Sequence, residues 1–380
     1  MSPMPPLNLL IKPASGRCNL RCKYCFYTDE TRRRAVPVCG MMTPQTLEAV
    51  VSKALEAAQG SCCFGFQGGE PTLAGLDFYR LLIELEARCN RRGLPITHTI
   101  QTNGLLLDEA WACFLSENHF LVGLSLDGPA QLHDANRPDA SGKGSFSRVM
   151  AAARLLGRHG VDFNILTVVN ARNVRSPERL YRFFMKNGLY YQQYIPCLDP
   201  LDSPEGASPY SLPPAAYGEF LIRLFDLWLA DVKAGRFVYI RYFENLAGML
   251  LGGPPESCGL SGRCVNQHVV EADGSVYPCD FYALDEYCLG NLNTDGFAQI
   301  DMRYDALDFE GASACLPPQC PDCRWFRLCR GGCRRDRQGA ALSQLQENRL
   351  CPAFQMFFDH AVPRLSQWLA LTRGRPVFHG

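Results

Sequence analysis

The stretch CNLRCKYC at positions 18–25 has three cysteines in the spacing C-x3-C-x2-C. It follows an apolar run, Leu9–Lys12, that predicts a β-strand, so the cysteines are expected on the loop at the carboxyl end of that strand. Active sites of parallel-stranded barrels lie at this end. Three thiolates can ligate three irons of a 4Fe–4S cubane and leave the fourth iron open. A zinc loop with a remote fourth ligand and three inert thiols are the alternatives.

Strand and helix patterns alternate from this motif to position 200. Six short apolar runs predict strands at Leu9–Lys12, Cys62–Gln67, His98–Thr102, Phe120–Leu126, Phe163–Val169 and Tyr190–Ile195. Amphipathic stretches predict helices at positions 43–59, 77–92, 108–118, 145–159, 177–187 and 215–234. Repeated strand–helix units imply parallel strands with right-handed crossovers. We therefore expect an α/β fold, a partial (β/α)6 barrel, although an open doubly wound sheet would give the same pattern.

The sequence pattern changes from Cys258 onward, where the predicted strands become short and the predicted loops become longer. Eight cysteines lie in this region. Two have the spacing C-x9-G-x4-C and four have the spacing C-x2-C-x5-C-x3-C, while Cys258 precedes these groups and Cys351 follows them. Val269–Tyr277 predicts a hairpin that turns at Asp273–Gly274, and a last helix is predicted at positions 352–371. Eight thiolates suit two fully ligated 4Fe–4S clusters. A pair of structural zinc sites is the alternative.

Composition excludes several classes of partner. The 380 residues include 38 basic and 38 acidic side chains, so no basic excess indicates binding to nucleic acid or to an anionic membrane. No segment has the ~18 apolar residues that a membrane helix needs, and positions 1–13 lack the pattern of a signal peptide. We therefore expect a cytoplasmic protein.

Cysteine is unusually abundant, with 19 residues. In a reducing compartment thiols bind metals more often than they form disulfides. Eleven of the 19 belong to the two motifs above, which leaves eight. These eight are expected to be small buried hydrophobic residues: Cys39, Cys62, Cys63, Cys89, Cys113, Cys197, Cys288 and Cys315.

The first motif resembles that of the radical S-adenosylmethionine (SAM) superfamily, with Tyr24 as the aromatic residue before the third cysteine. Gly68, Gly69 and Glu70, after the second predicted strand, resemble the Gly-Gly-Glu motif of that family, whose backbone and acid receive the SAM ammonium group. The resemblance implies a 4Fe–4S cluster, with an open iron for SAM, on Cys18, Cys22 and Cys25. It also implies SAM contacts from Ser125, Arg137 and Leu198.

The second cysteine set resembles the SPASM domain, a twin-cluster extension of radical enzymes that modify peptides. By that resemblance, the first auxiliary 4Fe–4S cluster is ligated by Cys258, Cys264, Cys279 and Cys333. The second auxiliary cluster is ligated by Cys320, Cys323, Cys329 and Cys351. The chain would then hold three 4Fe–4S clusters in all.

Longer stretches resemble the anaerobic sulfatase-maturating enzymes, notably positions 9–15, 66–73, 120–129, 275–282 and 323–334. These enzymes oxidise a cysteine or serine of a sulfatase to Cα-formylglycine. The resemblance makes Asp280, directly after Cys279, the base that accepts the substrate proton. It implies as partners an unfolded sulfatase polypeptide and an electron donor such as flavodoxin or ferredoxin. No nucleic acid or membrane partner is expected.

The same patterns and resemblances predict the domain boundaries. We expect the radical SAM barrel at 1–235, a connection at 236–257, the SPASM domain at 258–353, and a C-terminal helix and tail at 354–380. Another SPASM-type peptide modifier, for thioether or quinone-cofactor maturation, is the first alternative. An iron–sulfur electron carrier without catalytic activity is the second.

Overall fold

The computed structural model of the protein describes residues 6–201, 203–204, 206–337 and 346–372. The chain divides into two compact units. The first unit comprises Met1–Leu126, His133–Ile165 and Val265–Glu310, and the second comprises Asp127–Leu132, Leu166–Cys264 and Gly311–Gly380. The predicted tail at 373–380 lies outside the described residues.

The elements are numbered in chain order. The strands are β1 (Leu7–Lys12), β2 (Cys62–Phe66), β3 (Ile96–Thr102), β4 (Phe120–Ser125), β5 (Phe163–Val169), β6 (Tyr191–Pro196), β7 (Tyr239–Ile240), β8 (Val269–Glu271), β9 (Ser275–Tyr277) and β10 (Gly290–Asn291). The helices are α1 (Phe26–Arg32), α2 (Pro44–Ala57), α3 (Leu76–Cys89), α4 (Glu109–Glu117), α5 (Ala130–Asn136), α6 (Phe146–Arg158), α7 (Pro177–Lys186), α8 (Pro214–Lys233), α9 (Arg241–Leu250), α10 (Phe297–Ala306), α11 (Phe309–Ala314), α12 (Phe326–Cys329) and α13 (Cys351–Thr372).

The first unit is built on a sheet whose strands follow the order β10-β9-β8-β1-β2-β3-β4. Strands β1 to β4 pair in parallel, and helices connect them. Helix α2 shows how the sequence sets these connections, because the Thr43 side chain accepts a hydrogen bond from the Thr46 backbone amide and Pro44 occupies the first turn. The predicted α/β fold with a parallel sheet is confirmed.

Helices dominate the second unit. Phe225 and Trp228 of α8 pack on Phe243 of α9, with ring centroids 5.5 and 5.4 Å apart. Phe357 of α13 stacks on Phe243 at 5.6 Å and so closes this aromatic core. Among the described residues, no helix is both long and apolar enough to cross a membrane.

The predicted elements match the observed ones closely. All six predicted strands are present, and their ends move by at most two residues. The prediction missed the helices α1, α5, α9, α10, α11 and α12 and the two-residue strands β7 and β10. Helix α1 starts directly after Cys25 and is mostly polar, so apolar periodicity could not indicate it.

The cysteine-rich region does not pack as a body of its own. The hairpin of β8 and β9 forms as predicted, but β8 also pairs in parallel with β1, with Leu10 opposite Val269 and Lys12 opposite Glu271. A three-residue strand cannot bury its apolar face alone, so it extends an existing sheet. Residues 265–310 therefore pack within the first unit. The predicted domain boundaries, which describe sequence modules, remain a prediction.

A buried polar cluster stabilises this seam. Glu271 of β8 accepts hydrogen bonds from the Tyr27 hydroxyl and from Arg34, whose Nη1 lies 2.7 Å from Glu271 Oε1. The two charged side chains are 1% and 0% exposed, and Arg34 also donates to the carbonyl oxygen of Ala283. Burial raises the pKa of Tyr27, as does the adjacent Glu271 carboxylate, so Tyr27 remains a hydrogen-bond donor.

We predict that Arg34→Met destabilises the protein by about 3–5 kcal/mol, because it leaves the Glu271 carboxylate buried without its cation. Arg33→Met is the matched control, since Arg33 pairs with Asp29 at 3.3 Å on the surface and is worth at most ~1 kcal/mol. Urea unfolding under anaerobic conditions measures both. Equal shifts for the two variants would show that the buried pair has no special role.

Candidate active site

The C-x3-C-x2-C loop leaves the carboxyl end of β1, as predicted. The side chains of Cys18, Cys22 and Cys25 are partly buried. Cys18 Sγ accepts a hydrogen bond from the Leu20 amide at 3.4 Å, and Arg137 Nη1 lies 4.0 Å from Cys22 Sγ. Burial, reinforced by Glu70 and Cys25, raises the pKa of Cys18 to about 11. A bound cation would therefore have to stabilise the Cys18 thiolate.

The three thiols of this loop are the donor set that an iron–sulfur cubane with one open iron needs. In a cubane each thiolate binds a different iron, so the ligands stand farther apart than they do around zinc. Arg137 also supplies positive charge beside Cys22, which suits an anionic cluster.

The Gly-Gly-Glu turn lies directly against the cysteine loop. The amides of Gly69 and Glu70 donate to the carbonyl oxygens of Ser15 and Arg17, each at 2.8 Å. A Cβ atom at Gly69 would stand 1.9 Å from the Arg17 oxygen, so only glycine fits there. Gly68 has a φ of +108°, a backbone conformation that residues with a side chain rarely adopt, so glycine is favoured there as well.

Glu70 is 1% exposed, and both of its carboxylate oxygens accept hydrogen bonds from the protein. Oε1 accepts from the Thr72 amide at 3.1 Å and from the Thr102 hydroxyl at 2.7 Å, and Oε2 accepts from the Asn103 amide at 2.8 Å. Burial raises the pKa of Glu70, and these hydrogen bonds oppose that shift. The carboxylate therefore fastens the turn to the end of β3. Its contact with SAM stays a prediction.

The other predicted SAM contacts are distributed over both units. In the first unit, Ser125 ends β4 and is 7% exposed, and the Arg137 guanidinium lies 5.4 Å from the centre of the Tyr24 ring. Leu198 follows β6 in the second unit and is half-buried. All of these remain predicted ligand contacts.

Asp280 lies just beyond β9 and is held by two side chains that the sequence did not indicate. Lys12, the last residue of β1, is fully buried and donates to Asp280 Oδ1. Gln67 Nε2 donates to Asp280 Oδ2 at 2.7 Å. Lys12 Nζ also lies 3.7 Å from the centre of the Tyr27 ring. The sequence signal for these two partners of Asp280 was their position, because a lysine and a glutamine stand at the carboxyl ends of adjacent parallel strands.

The auxiliary cysteines of the second unit form two groups of neighbouring thiols, and the predicted ligand sets remain a prediction. In the second unit, burial raises the pKa of Cys333, and the neighbouring thiols Cys258 and Cys264 add to the effect. In a second group, burial is the main cause that raises the pKa values of Cys320, Cys329 and Cys351, and neighbouring thiols of the same group, Cys323 among them, add to the effect. Cys279 is buried in the first unit, directly before Asp280.

The second unit also contains a cavity of about 780 Å³ beside α12. Its walls are mostly apolar and include Trp325 and Leu328. Among the described residues, the charged side chains that line it are all arginines, of which Arg324 pairs with Asp359 outside the lining: Arg263, Arg324, Arg327 and Arg330. The cavity is therefore suited to an acidic partner.

Of the eight cysteines that were expected to be buried, only Cys62 and Cys197 are buried, and Cys39, Cys63 and Cys89 are partly buried. Cys113, Cys288 and Cys315 are exposed, so the prediction was wrong for them. All three occur near element ends or on an outer helix face, where hydrophobic character does not decide burial.

Comparison with known proteins gives the family. Residues 13–184 match the model described as "Radical SAM superfamily", and residues 262–324 match an "Iron-sulfur cluster-binding domain". A "Cysteine-type anaerobic sulfatase-maturating enzyme" of Clostridium perfringens (strain 13 / Type A) is 47% identical over 362 residues, which are 95% of this chain and 98% of the relative. A "Serine-type anaerobic sulfatase-maturating enzyme" of Bacteroides thetaiotaomicron is 31% identical, over 94% and 90% of the two chains.

A solved structure agrees with these sequence relatives. The structure described as "Native anSMEcpe with bound AdoMet and Cp18Cys peptide" is 46% identical and superposes with a TM-score of 0.92, covering 97% of this chain and 99% of that one. Radical SAM and SPASM domains imply 4Fe–4S clusters and SAM as cofactors. With the cysteine loop, the Gly-Gly-Glu turn and the auxiliary cysteines in place, the chain belongs to the anaerobic sulfatase-maturating enzymes of the radical SAM superfamily.

Proposed function

We propose that this enzyme oxidises a cysteine of an unfolded sulfatase polypeptide to Cα-formylglycine. Its 47% identity to a cysteine-type relative, against 31% to a serine-type one, favours cysteine over serine. The observation that carries the proposal is the carboxylate of Asp280, which two donors orient at the end of β9. Thioether or quinone-cofactor maturation, the alternative, has no observation of its own in its favour.

The cofactors and the protein have separate tasks in this reaction. The cluster and SAM, when bound, supply the one-electron chemistry that removes a hydrogen atom from the substrate Cβ. The substrate must then lose one electron and its thiol proton to become a thioaldehyde, which water hydrolyses to the aldehyde and hydrogen sulfide. Asp280 accepts that proton. Lys12 and Gln67 fix the direction of the carboxylate, because each donates to a different oxygen.

The three-cluster arrangement is part of the proposal. Cys18, Cys22 and Cys25 would hold the cluster that binds SAM. One auxiliary cluster would be held by Cys258, Cys264, Cys279 and Cys333, and the other by Cys320, Cys323, Cys329 and Cys351. Because each auxiliary set has four thiolates, both clusters would be fully ligated and would carry electrons or stabilise the fold. The reaction takes place in the cytoplasm, where free thiols persist.

An electron donor completes the reaction, and flavodoxin or ferredoxin has the suitable chemistry. The arginine-lined cavity supports a docking site for such an acidic carrier. Its wall contains Trp325 and Leu328, from the segment between the predicted ligands Cys323 and Cys329. A carrier bound there would stand beside the second auxiliary cluster and could exchange electrons with it.

The first prediction for this function concerns the cysteine loop. The triple change Cys18→Ala, Cys22→Ala and Cys25→Ala should remove about four irons per chain and abolish reductive cleavage of SAM. The matched control changes three exposed cysteines to serine, Cys113, Cys288 and Cys315, and should keep both iron and cleavage. Iron analysis and 5′-deoxyadenosine assays measure the outcome. SAM cleavage by the alanine variant would refute the cluster assignment.

The second prediction concerns Asp280. Asp280→Asn keeps the size of the side chain but removes the basic oxygen, so formylglycine yield should fall by about a hundredfold or more while 5′-deoxyadenosine is still made. Serine peptides should suffer more than cysteine peptides, since a hydroxyl is less acidic than a thiol. Aldehyde formed per deoxyadenosine is the quantity to measure. Asp273→Asn, at the exposed turn of the same hairpin, is the control, and an unchanged ratio at Asp280 would exclude the base role.

The third prediction concerns the carrier. Replacing Arg263 and Arg327 with glutamine should weaken the binding of oxidised flavodoxin by roughly tenfold at low ionic strength. Added salt should likewise weaken the binding of flavodoxin to the wild-type enzyme, because it screens the charges. Dithionite-driven turnover should not change. The control pair is Arg179→Gln and Arg182→Gln on α7. Calorimetric titration measures the affinity of each double variant for flavodoxin. Equal affinities of the two double variants would rule out this docking site.

A further inference from the structure

Three side chains that the proposed reaction does not use meet on the surface of the first unit. They are Glu109 and Cys113 of α4 and His159, the residue that ends α6. We name them the surface thiol triad. Cys113 is exposed, and the His159 side chain is 25% exposed, so solutes reach both.

The local sequence determines this arrangement. The Asp108 side chain caps α4 by accepting a hydrogen bond from the Trp111 amide, which places Glu109 in the first turn. Glu109 and Cys113 are four residues apart and therefore share one face of the helix. His159 reaches this face from the end of α6: its Nδ1 lies 3.7 Å from Cys113 Sγ, and its Nε2 donates to Glu109 Oε2.

The two ring nitrogens of His159 have different roles. Because Nε2 carries the proton that is donated to Glu109, Nδ1 is left as an acceptor for the thiol proton. A nucleophile, a base and an orienting carboxylate thus stand in the order that activates a nucleophile. Glu109 also accepts from Arg158 at 3.0 Å. The hydrogen bond from His159, followed by that from Arg158, lowers the pKa of Glu109.

Charge on the ring is stabilised from two sides. When His159 takes the proton of Cys113, the Glu109 carboxylate faces the positive imidazolium. The ring also follows the carboxyl end of α6, where the helix dipole favours a cation. The thiolate that remains on Cys113 is the reactive form of the side chain.

The two other exposed cysteines outside the predicted cluster ligands, Cys288 and Cys315, contact a backbone carbonyl oxygen and no histidine among the described residues. The Cys288 thiol donates to the Gly290 carbonyl oxygen at 3.7 Å, and the Cys315 thiol donates to that of Gly311 at 3.8 Å. A peptide carbonyl does not accept a proton at neutral pH. These two thiols therefore serve as internal references of similar exposure.

We propose that Cys113 of the surface thiol triad is a modification site that undergoes thiol–disulfide exchange with small soluble disulfides. The Cys113 thiolate attacks one sulfur of the disulfide R–S–S–R, a new Cys113–S–S–R bond forms, and the old S–S bond breaks. The leaving thiolate takes the proton from His159 and departs as R–SH. No further oxidant is needed, since the disulfide itself supplies the oxidising equivalents.

The experiment uses the cluster-loaded protein under anaerobic conditions with glutathione disulfide as the probe. Samples quenched over time are digested, and mass spectrometry measures the modified fraction at each cysteine. Cys113 should react about tenfold or more faster than Cys288 and Cys315. Iodoacetamide, which alkylates thiolates without exchange, should give the same order.

Variants test the roles within the triad. His159→Gln should bring the Cys113 rate to within about twofold of that of Cys288, and Glu109→Gln should give an intermediate rate. Arg158→Gln, which keeps the pair of Cys113 and His159, is the control and should react like the wild type. All variants should keep SAM cleavage, which shows that they are folded. Equal rates at the three exposed cysteines, or an undiminished Cys113 rate in His159→Gln, would overturn the proposal.

Discussion

The parallel pairing of β8 with β1 is the contact on which the candidate active site depends. It places Glu271 opposite Lys12 and so brings the residues after β9 to the carboxyl end of β1. Lys12 can then donate to Asp280, which lies 268 positions away in the chain. The same edge carries the cysteine loop. A three-residue strand thus determines whether the proposed base stands near the proposed radical site.

Close backbone approach gives the second constraint. The Gly-Gly-Glu turn and the cysteine loop are hydrogen-bonded to each other through main-chain groups, and Glu70 ties both to the end of β3. Main-chain and side-chain hydrogen bonds of the chain itself therefore connect the two segments of the predicted SAM site.

Sequence reasoning predicted the local parts of this structure well and the long-range parts poorly. Strands and helices follow from hydrophobic period and caps, so β5 was predicted at its exact limits. Motif spacing indicated the two groups of cysteines. The partners of Asp280 could not be predicted in this way, because Lys12 and Gln67 are adjacent to it only after three strands have paired. The surface thiol triad was missed for a similar reason, since Cys113 and His159 meet through the packing of two helices.

The long distance along the chain between Lys12 and its partner Asp280 affects how the protein folds during synthesis. Lys12 is fully buried in the finished fold, and a buried ammonium needs its anion. A ribosome that adds 5–20 residues per second needs roughly 13–50 s to synthesise the segment between Lys12 and Asp280. Throughout that time the Lys12 ammonium lacks this anion, so its stable burial at the end of β1 waits for the synthesis of Asp280. The N-terminal strand therefore completes its packing only late in the synthesis of the chain.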